Sequence, residues 1–577
     1  MDANRNPNAI EALAPTAPAE RIEALDVVRG FALIGIFLMN VEYFNRGMGT
    51  MGQGMPTGLS GLDWLASWFI AYFVQGKFWT IFSTLFGMGF ALMLARAEKA
   101  GRGFIAPYLR RVLALAVFGA AHYIFIWNGD ILFSYAVAAG ALMIVSYGRA
   151  KPILLSMLGL CAIGFVPGLN FAFAIAGGLA FVGLVTLYMR NEKRVSWRGY
   201  SMPLSSFVLL ALGIVGVIAA TVLWLMPNAP EAARAPVTAL GIILLIFAFL
   251  SARFREPEEK RRLRVGASLY LFMATMTTIG GAVQLLRPVD PPVPAAAPAV
   301  AAPAVAAPAV AAPAKEAAKK PPKTEAEKAA ERQAARARSL KEFEKANREE
   351  ERIFSKGTYR ESVEFRAREF PAKAVSDALF AVVLIGMFLI GAWFVRSGVM
   401  ENTRAQLPLF RRLATYLLPV GIGLGLLGSL IARSHTLGDN HDGYGLAQGL
   451  LDLGNLGACL GYVGLVIVML HSNSVFSKVR VLAPAGRMAL TNYLTQSVIS
   501  TFIFYGYALG NWGMPRAWQV VYVAVFFGLQ VAFSHWWLAR FRYGPMEWVW
   551  RAFTYRTMPA MRIGSDTRNI PPAALHG

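Results

Sequence analysis

Residues 25–44 read LDVVRGFALIGIFLMNVEYF. A helix of about 20 mostly apolar residues spans the hydrocarbon core of a bilayer, so this stretch is read as a membrane span. Comparable runs recur near 78–95, 112–128, 131–147, 152–168, 170–189, 203–226, 236–252, 267–286, 376–395, 413–432, 447–470, 489–509 and 519–538. The expectation is an all-α, polytopic transmembrane helical bundle of about 12–14 spans. Residues 62–76 (LDWLASWFIAYFVQG) are aromatic and short, and are expected to lie along the membrane surface. The composition agrees. Of 577 residues, 56% are apolar and 16% charged, against about 25% charged in soluble proteins. An ordinary soluble enzyme is excluded. The two cysteines, Cys161 and Cys459, both lie in apolar runs, which argues against a disulfide scaffold or a thiolate metal cage. No metal site is expected.

The net charge is +22. Residues 315–370 hold 16 Lys/Arg and 12 Asp/Glu, so most of the excess sits in short segments between apolar runs, from Arg96 to Arg111, Arg190 to Arg198 and Arg253 to Arg264. Short basic loops mark the cytoplasmic side of a membrane protein. Topology accounts for this charge better than a nucleic-acid partner does, and none is expected. The chain then divides into a cytoplasmic N-terminal tail (1–24), a first transmembrane half (25–286), a periplasmic loop (287–375), a second transmembrane half (376–540) and a cytoplasmic C-terminal tail (541–577). The first span has no small-residue cleavage site after it and reads as a retained anchor. Within the long loop, 288–314 repeats the pentad AAPAV, which makes an extended, semi-rigid spacer. Residues 315–352 mix Lys, Glu, Ala and Arg, and are expected to form a solvated helix with i,i+4 pairs.

Charged and polar groups inside spans are costly and usually functional. Asp26 and Arg29 are three apart and can pair on one helix face. Asn40 lies eleven residues beyond Arg29 on nearly the same face, about 16 Å further along the helix. One reading is a snorkelling arginine held by Asp26 for topology and packing. The other is a functional face with a cation at its inner end. His122, well inside the third span, can act as a general base if a carboxylate orients it. Asp130 can do that or cap the next helix, and a packing histidine is the rival reading. Lys77, in GKFWTIFSTLFGMGF (76–90), is expected at the outer interface. In PAGRMALTNYLTQS (484–497), Arg487 stands at a helix start, where free backbone N–H groups already favour an anion. Asn492 and Gln496 come next as a polar stripe. FRYGPMEWVWRAFTY (541–555) has the Trp, Tyr and Arg of an interfacial anchor, which leaves Glu547 unexplained.

Together with HYIFIWNGDILFSY (122–135), these segments resemble the YeiB-like family of bacterial multi-pass inner-membrane proteins, which carry domain of unknown function 418. FSKGTYRESVEFRAREF (354–370) looks like the family's outer segment, and the Ala/Pro spacer before it looks like an insertion. The resemblance covers both membrane halves. It implies the bacterial inner (plasma) membrane as location, and a structural motif made of Asp26, Gly30, Gly544, Pro545, Glu547 and Trp548.

The family is distantly similar to transmembrane acyltransferases, which move acyl groups from a cytoplasmic thioester donor onto envelope glycans. In one branch of those enzymes a first-span arginine is followed eleven residues later by a catalytic histidine. Here the arginine is Arg29 and the matching position is Asn40, which can donate a hydrogen bond to an oxyanion but cannot serve as a base. The lysosomal amino-sugar acetyltransferases are similar in having Asn there and a separate His, a role for which His122 is the candidate. The resemblance implies Arg29 and Arg487 on the donor's phosphates, His122, Asp130 and Asn40 as the catalytic group, and Lys77, Asn492 and Gln496 on the substrate. Acyl-CoA enters as a donor substrate, with no tightly bound cofactor. The implied partners are the lipid bilayer and an envelope glycan or lipid. Two other classes fit the same residues: a transporter or flippase of an anionic amphiphile, and a non-catalytic membrane scaffold. Acyl transfer further predicts one continuous cavity from the inner to the outer face, wide enough for the donor's pantetheine arm, with Arg29 and His122 both on it.

Overall fold

The computed structural model describes residues 21–101, 103–190, 192–197, 200–226, 231–255, 258–286, 325–439 and 441–563. The AAPAV spacer at 288–314 and nearly all of the N-terminal tail lie outside the described residues.

The first part of the chain holds α1 (Glu23–Phe44), α2 (Gly61–Phe69), α3 (Lys77–Lys99), α4 (Ile105–Phe125), α5 (Leu132–Tyr147), α6 (Ala150–Gly164) and α7 (Phe171–Arg190). An antiparallel hairpin of β1 (Arg194–Trp197) and β2 (Tyr200–Pro203) precedes α8 (Leu204–Leu225), α9 (Glu231–Arg253) and α10 (Arg261–Leu286). The second part runs through α11 (Glu325–Lys356), α12 (Tyr359–Arg396), α13 (Leu407–Arg412), α14 (Leu418–Ile431) and α15 (Tyr444–Leu470). It ends with α16 (Ala483–Arg487), α17 (Ala489–Phe504), α18 (Arg516–Leu538) and α19 (Pro545–Tyr555). The architecture is an all-α polytopic bundle.

Among the described residues, ten helical stretches are long and apolar enough to cross a membrane, and Leu132–Tyr147, Ala150–Gly164 and Val237–Arg253 are shorter apolar helices. The remaining expected span, 489–509, forms a helix of 16 residues. Of the solvated helix expected at 315–352, residues 325–352 belong to α11, where Arg348 donates to Glu344 one turn away, and 315–324 lie outside the described residues. A capping box starts α12. The Thr358 hydroxyl accepts from the Glu361 N–H, while the Glu361 carboxylate accepts from the Thr358 N–H at 2.7 Å.

Residues 62–76 divide in two: Leu62, Leu65 and Phe69 of α2 are exposed, and the end of the segment packs inward. After α2 the chain passes through a π-helical turn, Ile70–Val74, with Tyr72 and Val74 buried. Tyr462 of α15 donates its hydroxyl to the Phe73 carbonyl at 3.0 Å, which satisfies backbone that the turn leaves open. Gly76 then takes φ of 80°, a left-handed turn that side chains resist, and α3 begins. The Phe78 ring fills the space beside Gly35, near the middle of α1. The end of the segment therefore packs against the bundle.

Inside a bilayer, apolar contact with a neighbour gains little over apolar contact with lipid, so close packing and interhelical hydrogen bonds hold the helices together. The contact that shapes the site joins α1 to α16. A Cβ added at Gly30 would strike the Leu482 carbonyl, and one added at Gly486 would strike the Asp26 carbonyl. Only glycine at both positions lets the two backbones touch.

Candidate functional site: an arginine-lined cavity

The first helix and the last third of the chain close around a cavity of about 220 Å³. Arg21, Arg29, Arg111, Arg487 and Arg551 all line it, with Asp26 and Glu547 as the lining carboxylates. Further along, Ile36 of α1, Phe82, Leu85 and Phe86 of α3, Tyr135 of α5 and Tyr493 of α17 make an apolar wall. The cations come from different elements. Arg29 donates from Nη1 to Asp26 Oδ1 at 2.9 Å and lies 3.4 Å from the Gly486 carbonyl, across the α1–α16 glycine contact. Arg111 lies over the Trp550 ring at 4.0 Å, and the Trp550 indole N–H donates to the Arg111 carbonyl at 3.0 Å. Arg551 lies over Tyr543 at 4.8 Å. The buried Nε of Arg487 has no hydrogen-bond partner among the described residues.

Neither carboxylate is free to neutralise the rest. Asp26 is paired with Arg29. Glu547 is fully engaged at the start of α17, where one oxygen accepts the Leu490 and Thr491 N–H groups at 2.7 and 3.1 Å and the other accepts the Thr491 hydroxyl at 2.5 Å. That cap is what the anchor composition could not explain. Gly544 leaves room for it, since a Cβ there would meet the Glu547 carboxylate and the Thr491 hydroxyl. Pro545 opens α19, and Trp548 ties the helix to the segment after it by donating to the Pro559 carbonyl at 2.7 Å.

The crowding shows in the titration of the groups outside the spans. Burial, and after it Arg487, push the Arg21 guanidinium down to about 10, with Asp26 opposing. Burial lowers Arg487 too, again against Asp26. Burial raises the Glu547 carboxyl, against its hydrogen bonds to Thr491 and Leu490. The cavity concentrates more positive charge than its two lining carboxylates balance.

His122 and Asp130 meet next to this cavity. His122 Nδ1 lies 2.9 Å from Asp130 Oδ1, and Asp130 Oδ2 accepts the Phe133 N–H at 2.8 Å. Asp130 thus caps the start of α5 and orients the imidazole at once. With the proton on Nδ1 toward the carboxylate, Nε2 carries the lone pair; it is buried and has no partner among the described residues. The His122 ring packs 5.3 Å from the ring of Tyr493, which lines the cavity. His122 itself is not in the lining. The aromatic wall at Tyr493 separates it from the arginines, so the continuous cavity expected for acyl transfer is interrupted there.

The other candidates lie apart. Asn40 is buried on α1 one turn beyond Ile36, outside the lining. Lys77, expected at the interface, is fully buried at the foot of α3, because the Gly76 turn carries it inward. Asn492 and Gln496 face neighbouring helices and not the cavity. Asn492 donates to the Ala485 carbonyl and to Ser534, both at 3.1 Å, and Gln496 donates to Gln530 at 2.8 Å. Their amides join α16, α17 and α18. The sequence reading missed Arg21, Arg111, Arg551 and Tyr493 as one set. Each is basic or aromatic within about two turns of a helix start, where such residues usually anchor a span, and nothing local distinguishes them from anchors.

A polytopic membrane protein with an internal arginine-lined cavity is the class these features define. Residues 394–557 match the family model described as "Protein of unknown function (DUF418)". Over 553 residues the chain is 24% identical to the "Uncharacterized protein YxaH" of Bacillus subtilis (strain 168), covering 95% of this chain and 97% of that one. It is 33% identical over 173 residues to the "Uncharacterized protein YeiB" of Escherichia coli (strain K12), covering 30% of this chain and 44% of the other. No solved structure matches it. The chain thus resembles the YeiB-like DUF418 family. The matched segment contains Arg487, Tyr493, Glu547 and Arg551; Arg29, His122 and Asp130 come from the chain before it.

Proposed function

We propose that the chain is an acyltransferase of the bacterial inner membrane, moving an acyl group from a cytoplasmic thioester donor such as acyl-CoA to an envelope glycan or lipid. The observation that carries this reading is the juxtaposition of an uncompensated arginine cluster, an apolar channel wall and a carboxylate-oriented histidine behind Tyr493. Guanidinium groups bind phosphate by charge-assisted, often bidentate hydrogen bonds, so the donor's phosphates sit among Arg21, Arg29, Arg111, Arg487 and Arg551. Its acyl arm runs along Phe82, Leu85 and Phe86 toward Tyr493. Reaction requires the Tyr493 ring to swing aside. His122 Nε2 then takes the proton of the acceptor's hydroxyl or amine as that oxygen or nitrogen bonds to the thioester carbonyl carbon. The C–S bond breaks, and the imidazolium returns the proton to the departing thiolate. Asn40 has no part in this scheme, since it stands outside the cavity lining.

The barrier at Tyr493 favours one rival, transport of an anionic amphiphile that uses the arginines as a transient site. Purified protein with radiolabelled acetyl-CoA separates the two. Wild type should bind the donor and release its acyl group. Arg487→Gln should weaken binding about tenfold or more, which corresponds to about 1.4 kcal/mol. His122→Ala should keep binding and lose turnover. Binding without thioester loss in wild type would shift the assignment to transport, and failure to bind acetyl-CoA or longer acyl donors would remove the enzyme reading.

A further inference from the structure

A second set of ionisable groups lies inside the bundle between α3, α10 and α15, away from the arginine cavity. Lys77 is 0% exposed, and its ammonium donates to the Gln75 carbonyl at 3.1 Å. An ammonium has three N–H donors, so two remain unspent. Gly76, the residue before it, packs directly against Asn455 of α15, and one turn away Asp452 Oδ1 accepts from Gln448 at 3.0 Å and from Asn455 at 3.4 Å. The Asn455 carbonyl oxygen is buried and has no partner among the described residues. Tyr270 of α10 and Tyr444 are the further titratable groups that feel the Asp452 charge. Toward the start of α15 the chain of polar groups continues, with Tyr444 donating to Gln448 at 3.2 Å. There Gln75, Gln448, Tyr444 and Arg433 border a cavity of about 20 Å³, room for about one water molecule. Residues 444, 448, 452 and 455 thus form one polar file along a face of a membrane helix.

Charged side chains at membrane depth are expensive and are characteristic of proton and ion pathways. A link needed only for packing would be served by a direct ion pair or by neutral amides. Here the amine keeps two unspent donors beside a helix face that carries a carboxylate and an unsatisfied amide oxygen. We propose that Lys77 and Asp452 form a membrane-embedded proton-exchange site, reached through Gln448 and Tyr444 and distinct from the arginine cavity. Taking up a proton turns the Asp452 carboxylate into a neutral acid and ends its attraction for Lys77 at the foot of α3. The same helix carries Phe82, Leu85 and Phe86 into the arginine cavity. Proton occupancy at one site therefore biases the wall of the other.

The test is infrared difference spectroscopy of the full chain in lipid nanodiscs as the buffer pH is lowered. Wild type should show a protonated-carboxyl band that Asp452→Asn lacks. In Lys77→Met the band should titrate at a pH displaced by about one unit or more. Arg487→Gln should leave it unmoved. Should the single variants fail to fold, Lys77→Met/Asp452→Asn carries the test, since it buries no unpaired charge: it should fold and lack the band. Retention of the whole titration in Asp452→Asn, an unmoved band in Lys77→Met, or a double variant no more stable than the singles would overturn the proposal.

Discussion

Arg21 and Arg487 cost the ligand-free fold stability, and linkage gives the sign. A cation whose folded pKa is depressed contributes stability only at high pH, above its unfolded value, and that contribution is lost as pH falls through the folded value. Burial lowers Arg21 to about 10, so its charge opposes folding at any neutral pH. Arg21→Gln should therefore raise the melting temperature of ligand-free protein. Added polyphosphate should stabilise wild type more than this variant. Thermal melts with and without the anion check both, and a lower melting temperature in Arg21→Gln would mean that the arginines are structural. Glu547 gives the opposite kind of pH dependence. Burial raises it above 4.5, so the folded state holds this proton where the unfolded state has released it, and stability from this group falls as pH rises out of that window. Glu547→Gln should flatten the fall in melting temperature between pH 4.5 and neutrality. At this scale the sequence showed only what one helix decides. Asp26 and Arg29 are three apart and pair. The partners of Glu547 lie on another helix, and the burial of Lys77 depends on a left-handed glycine and on Tyr462 far along the chain.

Helices were legible because apolar runs of span length are unambiguous, and their ends less so. The end of 62–76 was not legible, because a short aromatic stretch looks the same whether exposed or packed inward; only the partner on α15 shows that Phe73 is tied to the bundle. Helix contacts were not legible at all. The α1–α16 junction rests on Gly30 and Gly486, two among many glycines, and no local pattern says which ones meet a backbone. Gly486→Val tests that junction. It forces α16 away from the Asp26 carbonyl, and overpacking of this kind costs about 1–3 kcal/mol. Donor binding through Arg29 and Arg487 should weaken with it. Gly423→Val on α14, where an added Cβ meets nothing within 4 Å, should leave melting temperature and binding unchanged. Equal loss in both variants would show that the α1–α16 contact has no special role.

For the whole molecule, the site is assembled by bringing the last third of the chain back onto the first helix. Arg29 and Arg111 come from one end of the sequence, Arg487 and Arg551 from the other. Basic residues near helix ends were legible as topology, but their convergence on one cavity was not, because it is a property of tertiary arrangement alone. The division of labour that results is simple. Charge gathers at one end of the cavity, an apolar wall leads away from it, and the orienting carboxylate and imidazole wait behind a single aromatic ring. The most direct measurement is a cryo-electron microscopy structure of the protein with a non-hydrolysable thioether analogue of acyl-CoA. The expected density puts phosphate among Arg21, Arg29, Arg111, Arg487 and Arg551, with Tyr493 displaced and the acyl carbon beside His122. Phosphate density elsewhere, or an acyl chain that enters the cavity while Tyr493 still seals His122 away, would contradict it.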